Sequence, residues 1–138
     1  MIMRDIRFRG YNRKNGKWLY GFYLQNRGQH FVCPDEFATG KSWEDYEIEP
    51  ETLGQYTGVK DANGVPIYEG DIIATRNNPS IKHLIFYKEE QGRFMAALNG
   101  DIENDFFGVC GLDDKTWVAS KVVIGNIHDN PELLTTSK

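Results

Sequence analysis

The stretch IRFRGYNRKNGKWLYGFYL, residues 6–24, decides the fold. In its first part Ile6 and Phe8 alternate with Arg7 and Arg9, the two-residue period of a half-buried strand. Asn12-Arg13-Lys14-Asn15-Gly16 then supplies turn chemistry, because Gly16 can take a positive φ without a Cβ clash. On the return, Trp18, Tyr20, Phe22 and Leu24 fall on one face. A helix would scatter these four around its axis, so the pattern predicts a β-hairpin.

Working outward, residues 30–33 form a short strand candidate ended by Pro34, which lacks the donor a ladder requires. Residues 35–51 hold seven Asp or Glu against the single Lys41 and are expected to be an irregular acidic connector. Residues 53–58 suit another short strand. Asp61-Ala62-Asn63-Gly64 repeats the chemistry of the first turn and leads into residues 65–73. Gly54, Gly58, Gly64 and Gly70, with Asp61, Asn63 and Asp71 beside them, are expected at strand corners and turns. Apolar segments at 84–87, 93–98 and 122–128 are separated by Gly, Asn and Pro at short spacing, which favours a small antiparallel barrel over βαβ units. Asn130 followed by Pro131 reads as a capped helical turn closing a mainly β fold.

At 138 residues, with 40% hydrophobic and 13% aromatic content, the chain can build a core as one domain or two small subdomains. No apolar run approaches the roughly 18 residues needed to cross a bilayer, so no membrane partner is expected. The start, Met1-Ile2-Met3-Arg4-Asp5, lacks the apolar core of a signal peptide, and a cytoplasmic location is expected. Two cysteines, Cys33 and Cys110, are expected as reduced, packed thiols. A net charge of −4 argues against indiscriminate binding to nucleic acid, which depends on many Lys and Arg contacts to phosphate.

Two further segments stand out: PETLGQYTGVKDANGVPIYEGDII at 50–73 and VVIGNIHDNPELL at 122–134. With the opening IRFRGYNRKNGKWLYG they resemble the YopX-like family of phage and prophage proteins, more loosely over residues 77–121. The chain departs from that family's pattern at Gly10-Tyr11, where an Ala-Trp pair follows Phe-Arg. The resemblance implies an N-terminal β-hairpin subdomain (1–50, with its acidic connector, expected as an oligomerisation element) and a C-terminal SH3-like small antiparallel barrel (51–138), in a bacterial host cell. It also implies a tendency to form homo-oligomers, and it carries over no catalytic residue.

Several constellations invite chemistry. Asp61-Ala62-Asn63-Gly64 with Glu69 and Asp71 has calcium-type ligands, but its spacing fails the EF-hand pattern and suits a turn. Glu69 and Asp71 flank Gly70 and could share a face, as a divalent-metal hydrolase or nuclease requires, yet no third ligand or histidine stands nearby in sequence. His30, Cys33, Cys110 and His128 are zinc-type residues, but positions i and i+3 of a regular strand point to opposite faces. No nucleophile elbow or phosphate loop is present, so neither cofactor nor catalysis is expected.

The basic hairpin is more suggestive. Arg4, Arg7, Arg9, Arg13, Lys14 and Lys17 oppose only Asp5, and Tyr11 and Tyr23 could stack on bases, which makes a nucleic-acid-binding module the main alternative. The plainer expectation has a solvated basic face over an aromatic core. The acidic segment 35–51 could also meet the basic strand, within one chain or between copies. The sequence therefore leads to an expected non-enzymatic accessory protein that works through contacts with a phage or host protein, as a homo-oligomer.

Overall fold

The computed structural model describes residues 4–36, 38–103, 109–112 and 115–134. The chain forms two compact units, Met1–Tyr56 and Thr57–Lys138, and the division falls inside a strand. Residue 50, the expected boundary, opens a 3-10 turn (Pro50–Thr52) of the first unit.

The first unit is built on the predicted hairpin. Strands β1 (Phe8–Asn12) and β2 (Lys17–Asn26) pair antiparallel, with Tyr11 opposite Trp18 and Arg9 opposite Tyr20. Gly16 closes the turn at φ +65°, its N–H donating to the Asn12 carbonyl at 2.9 Å. Strand β3 (Gln29–Cys33) continues the sheet, with Cys33 opposite Phe22 and Phe31 opposite Leu24. The start of β4 (Gly54–Lys60) pairs with β1 on the other side, placing Gly54 opposite Arg9. At Gly21 the backbone comes so close that a Cβ would lie 1.8 Å from the Cys33 carbonyl oxygen.

The acidic segment is not merely a connector. A 3-10 turn at Trp43–Asp45 leads into Tyr46 and Ile48, which are 7% and 4% exposed. Tyr46 packs with Phe31, Cys33 and Leu24 as the core of this unit. The same segment covers the outer edge of β3: Val32 N–H donates to the Tyr46 carbonyl, and Ile48 N–H donates to the His30 carbonyl. Ile48 also fills the space above Gly10, where a Cβ would meet its Cδ1 at 2.5 Å. That contact explains why glycine stands at the position where the chain departs from the Ala-Trp pattern.

In the second unit β5 (Pro66–Tyr68) lies beside β4, and the remaining strands form a sheet of their own. These are β6 (Asp71–Thr75), β7 (Asn78–Lys88), β8 (Arg93–Leu98), β9 (Val109–Gly111) and β10 (Lys121–Asn126), in the order β10-β6-β7-β8-β9. The order is a meander whose last strand returns beside its first. Helix α1 (Lys115–Val118) precedes β10, and the predicted closing turn follows it at Pro131–Leu134. Ile67, Ile73, Ile85, Ala96, Leu112 and Val118 make the core, all nearly inaccessible. Burying each of the Ile, Leu and Val side chains among them is worth about 1.5–3 kcal/mol, which helps these short strands hold. Among the described residues no helix is long and apolar enough to cross a membrane.

The two segments at 50–73 and 122–134 are stitched to each other. Asp61, 7% exposed, accepts from Asn63 N–H (2.8 Å) and Val65 N–H (2.9 Å) through Oδ1, and from Val123 N–H (2.9 Å) through Oδ2. Ala62 N–H donates to the Lys121 carbonyl, and Ile127 N–H to the Gly70 carbonyl. Asn126 Oδ1 receives His128 and Asp129 N–H, folding the chain into the last turn. Gly64 closes the Asp61 turn, Gly58 lies within β4, and Gly70 precedes β6.

Candidate interaction surface

Four of the six hairpin cations singled out above, Arg7, Arg9, Arg13 and Lys14, are engaged within the chain. Arg7 grips Asp5 through two hydrogen bonds (2.9 and 2.7 Å) and lies over the Tyr56 ring at 5.0 Å. Arg9 is only 5% exposed, its guanidinium 4.9 Å from the centre of Trp18. Arg13 pairs with Glu49 at 2.6 Å, and Lys14 with Asp45 at 3.1 Å. Tyr11 meets Trp18 edge to face, and its N–H donates to Thr52 Oγ1. The structure thus brings Arg13 and Lys14 to the acidic segment of their own chain, and turns Arg7 and Arg9 onto aromatic rings.

Asn12 organises this junction from a site that is 1% exposed. Its amide donates to the carbonyls of Glu44 (3.1 Å) and Glu47 (2.7 Å), while its Oδ1 receives Asn15 N–H. Asp45 accepts from Ser42 N–H, from the Asn15 amide and from Lys14, and these bonds hold its carboxyl well below the usual carboxylate range. The same hydrogen bond to Asp45 raises the Lys14 pKa. The signal for this arrangement was present as Ser42-x-x-Asp45, a capping-box spacing, and as Tyr46-x-Ile48, a strand period.

The other candidates are also placed. Asp71, 2% exposed, accepts from Tyr68 N–H at 2.8 Å at the entry to β6, with Glu69 half-buried two residues before it. Tyr23 stacks on His30 and its hydroxyl contacts His30 Nδ1 at 2.5 Å. Cys33 is a buried free thiol, and burial pushes its pKa up. His128 lies in the turn after β10; Cys110 stands in β9, and its side chain lies outside the described residues. Among the described residues no group of three or more His, Cys, Asp or Glu is placed to hold a metal ion.

Sequence alone did not reveal a buried cluster in the second unit. Trp117 of α1 meets His83 edge to face at 5.0 Å, and the Lys121 ammonium sits 4.4 Å from the Trp117 ring centre while donating to Thr75 Oγ1. Among the described residues, the buried His83 Nδ1 has no hydrogen-bond partner. Desolvation, with the Lys121 charge second, lowers the His83 pKa to about 4.

The first unit also presents aromatic side chains to solvent. Of the predicted stripe on β2, Leu24 joins the core and Trp18 is half-buried, but Tyr20 and Phe22 are 49% and 45% exposed. Trp43, on the acidic segment, is 55% exposed above Phe31.

A solved structure shares this architecture. Protein EF1440 from Enterococcus faecalis superposes with a TM-score of 0.59 at 27% sequence identity, over 96% of this chain and 100% of that one. Protein yopX from Bacillus subtilis aligns at 17% identity and a TM-score of 0.49, over 96% of this chain and 98% of its own. No curated protein matches the chain. The YopX protein family matches residues 7–135, spanning the hairpin, the stitched turns and the closing helical turn, and the chain belongs to that family.

Proposed function

We propose that this chain is a non-enzymatic accessory protein of phage or prophage that acts through protein contacts as a homo-oligomer. The observation that carries this is the pair of neighbouring exposed aromatics on β2, Tyr20 and Phe22. Large aromatic side chains lose the most by staying in water and dominate the energetics of protein interfaces. Two of the polar residues that invited chemistry support the same conclusion from the other side, because Asp61 and Asp71 accept hydrogen bonds from backbone N–H groups of their own chain.

Multi-angle light scattering at micromolar concentration and low salt tests the assembly. Wild type should exceed the mass of one chain, and a Tyr20→Ser, Phe22→Ser double variant should shift toward it. A monodisperse wild-type monomer overturns the proposal. Hydrolase and nuclease screens with magnesium or manganese test the non-enzymatic half: turnover that is lost in a Glu69→Gln, Asp71→Asn double variant refutes it.

A further inference from the structure

The register of the β2–β3 hairpin gathers four side chains on one face. Leu24 lies opposite Phe31 and Asn26 opposite Gln29, and residues two apart along a strand share a face, so all four stand together. Arg27 and Gly28, at φ +54° and +80°, close the hairpin tightly, and the ladder holds this floor in place. Trp43 adds a wall: its ring centre is 5.4 Å from that of Phe31, with the two planes at 66°. The 3-10 turn that carries Trp43 is itself pinned, with Ser42 N–H donating to Asp45 Oδ2 at 2.9 Å. These five residues line a pocket of about 170 Å³, to which neither Tyr20 nor Phe22 contributes.

The chemistry of this lining selects its ligand. Trp43 is 55% exposed, and the negative face of an indole attracts C–H groups polarised by neighbouring oxygens. Asn26 and Gln29 bring two primary amides, each with donors and an acceptor, which match hydroxyl groups that are both. Gln29 Nε2 donates to Glu47 Oε2 at 3.4 Å, and the Asn26 side-chain amide has no partner among the described residues. The lining carries no formal charge and the charged group bonded to it is an anion, which disfavours phosphate-bearing ligands. A purely apolar ligand would strip water from both amides and replace none of it. The volume lies below the roughly 300–1,000 Å³ of sites for drug-sized molecules, which leaves room for one ring. We propose that this pocket binds a single neutral pyranose, its flat C–H face against Trp43 and its hydroxyl groups on the Asn26 and Gln29 amides. A β-gluco ring fits best, because its ring C–H bonds all stand axial and its hydroxyl groups lie around the rim. This binding activity goes beyond the protein contacts proposed above and needs no second copy of the chain.

The test titrates the full chain with methyl β-glucopyranoside, and in parallel with adenosine monophosphate and cyclohexanol, read by saturation-transfer NMR and by the Trp43 indole N–H resonance. The glucoside should move that resonance and take up saturation on its ring C–H protons. Trp43→Ala and Asn26→Ala should each weaken binding at least roughly fivefold, the net worth of about one hydrogen bond. Asn26 is exposed, so its variant keeps the fold even if Trp43→Ala disturbs Phe31, and circular dichroism verifies both. No response to the glucoside overturns the proposal. Equal binding by wild type and Asn26→Ala puts the sugar elsewhere and overturns this site. A Trp43 response to adenosine monophosphate without one to the glucoside overturns the ligand class, and cyclohexanol binding as tightly as the glucoside overturns the role of the amides.

Discussion

Replacing Asp61 with alanine strands three backbone N–H groups at once, those of Asn63, Val65 and Val123. A hydrogen bond to a charged acceptor is worth about 1.5–3 kcal/mol net. The three do not simply add. Asn63 and Val65 are exposed and can turn to water, whereas Val123 is half-buried inside the sheet and packed on the core. The full loss therefore falls on one donor and a partial loss on two, which gives about 3–4 kcal/mol, a large share of the roughly 5–15 kcal/mol of a typical domain. Asp61→Asn retains one acceptor oxygen and should cost about half as much. Urea unfolding at fixed protein concentration measures the total, because self-association would otherwise shift the midpoint. Amide hydrogen exchange at Val123 reads the local effect. A loss below about 1 kcal/mol in Asp61→Ala, or undiminished protection of that amide, would refute the role assigned to this side chain.

His83 makes stability depend on pH. Its folded pKa of about 4 lies below the ordinary 6.5, so the unfolded chain binds more protons between those values and stability falls as pH drops through that window. The loss should approach about 3 kcal/mol at its acid end, and a His83→Leu variant should flatten the dependence measured by urea midpoints. Gly10→Ala should cost about 1–3 kcal/mol through overlap with Ile48, and a double-mutant cycle with Ile48→Ala should depart from additivity by more than about 0.5 kcal/mol. The Asp45 carboxyl should titrate below its ordinary 3.8 by NMR, and Asn15→Ala should move it upward; an unchanged value would remove Asn15 from that site. Gel shifts at physiological salt should show no retention of DNA or RNA, since Arg7, Arg9, Arg13 and Lys14 already have partners inside the chain.

Local chemistry was legible in the sequence, and long-range contacts were not. The hairpin at 6–24, the Asp61-Gly64 turn and the Pro131 turn each follow from residues within a few positions of one another, so period and turn chemistry suffice. Asp61 gave no hint that one of its oxygens would reach Val123, because nothing local encodes a partner sixty-two residues away. The acidic segment misled through composition: its many carboxylates suggested a solvated connector, while two apolar residues, Tyr46 and Ile48, tie it into the core. The aromatic stripe on β2 was found, but alternation shows only which side chains share a face. It does not show that Tyr20 and Phe22 stay uncovered. The cluster of His83, Trp117 and Lys121 draws on three separate elements and could be seen only once they were folded together.

The acidic segment along β3 and the Asp61 turn along β10 have a consequence for how copies of this protein can join. Both occupy main-chain groups that would otherwise invite another chain to zip on, the route by which sheet proteins grow into fibrils. With those main-chain groups already taken, another chain cannot extend either strand there by backbone pairing.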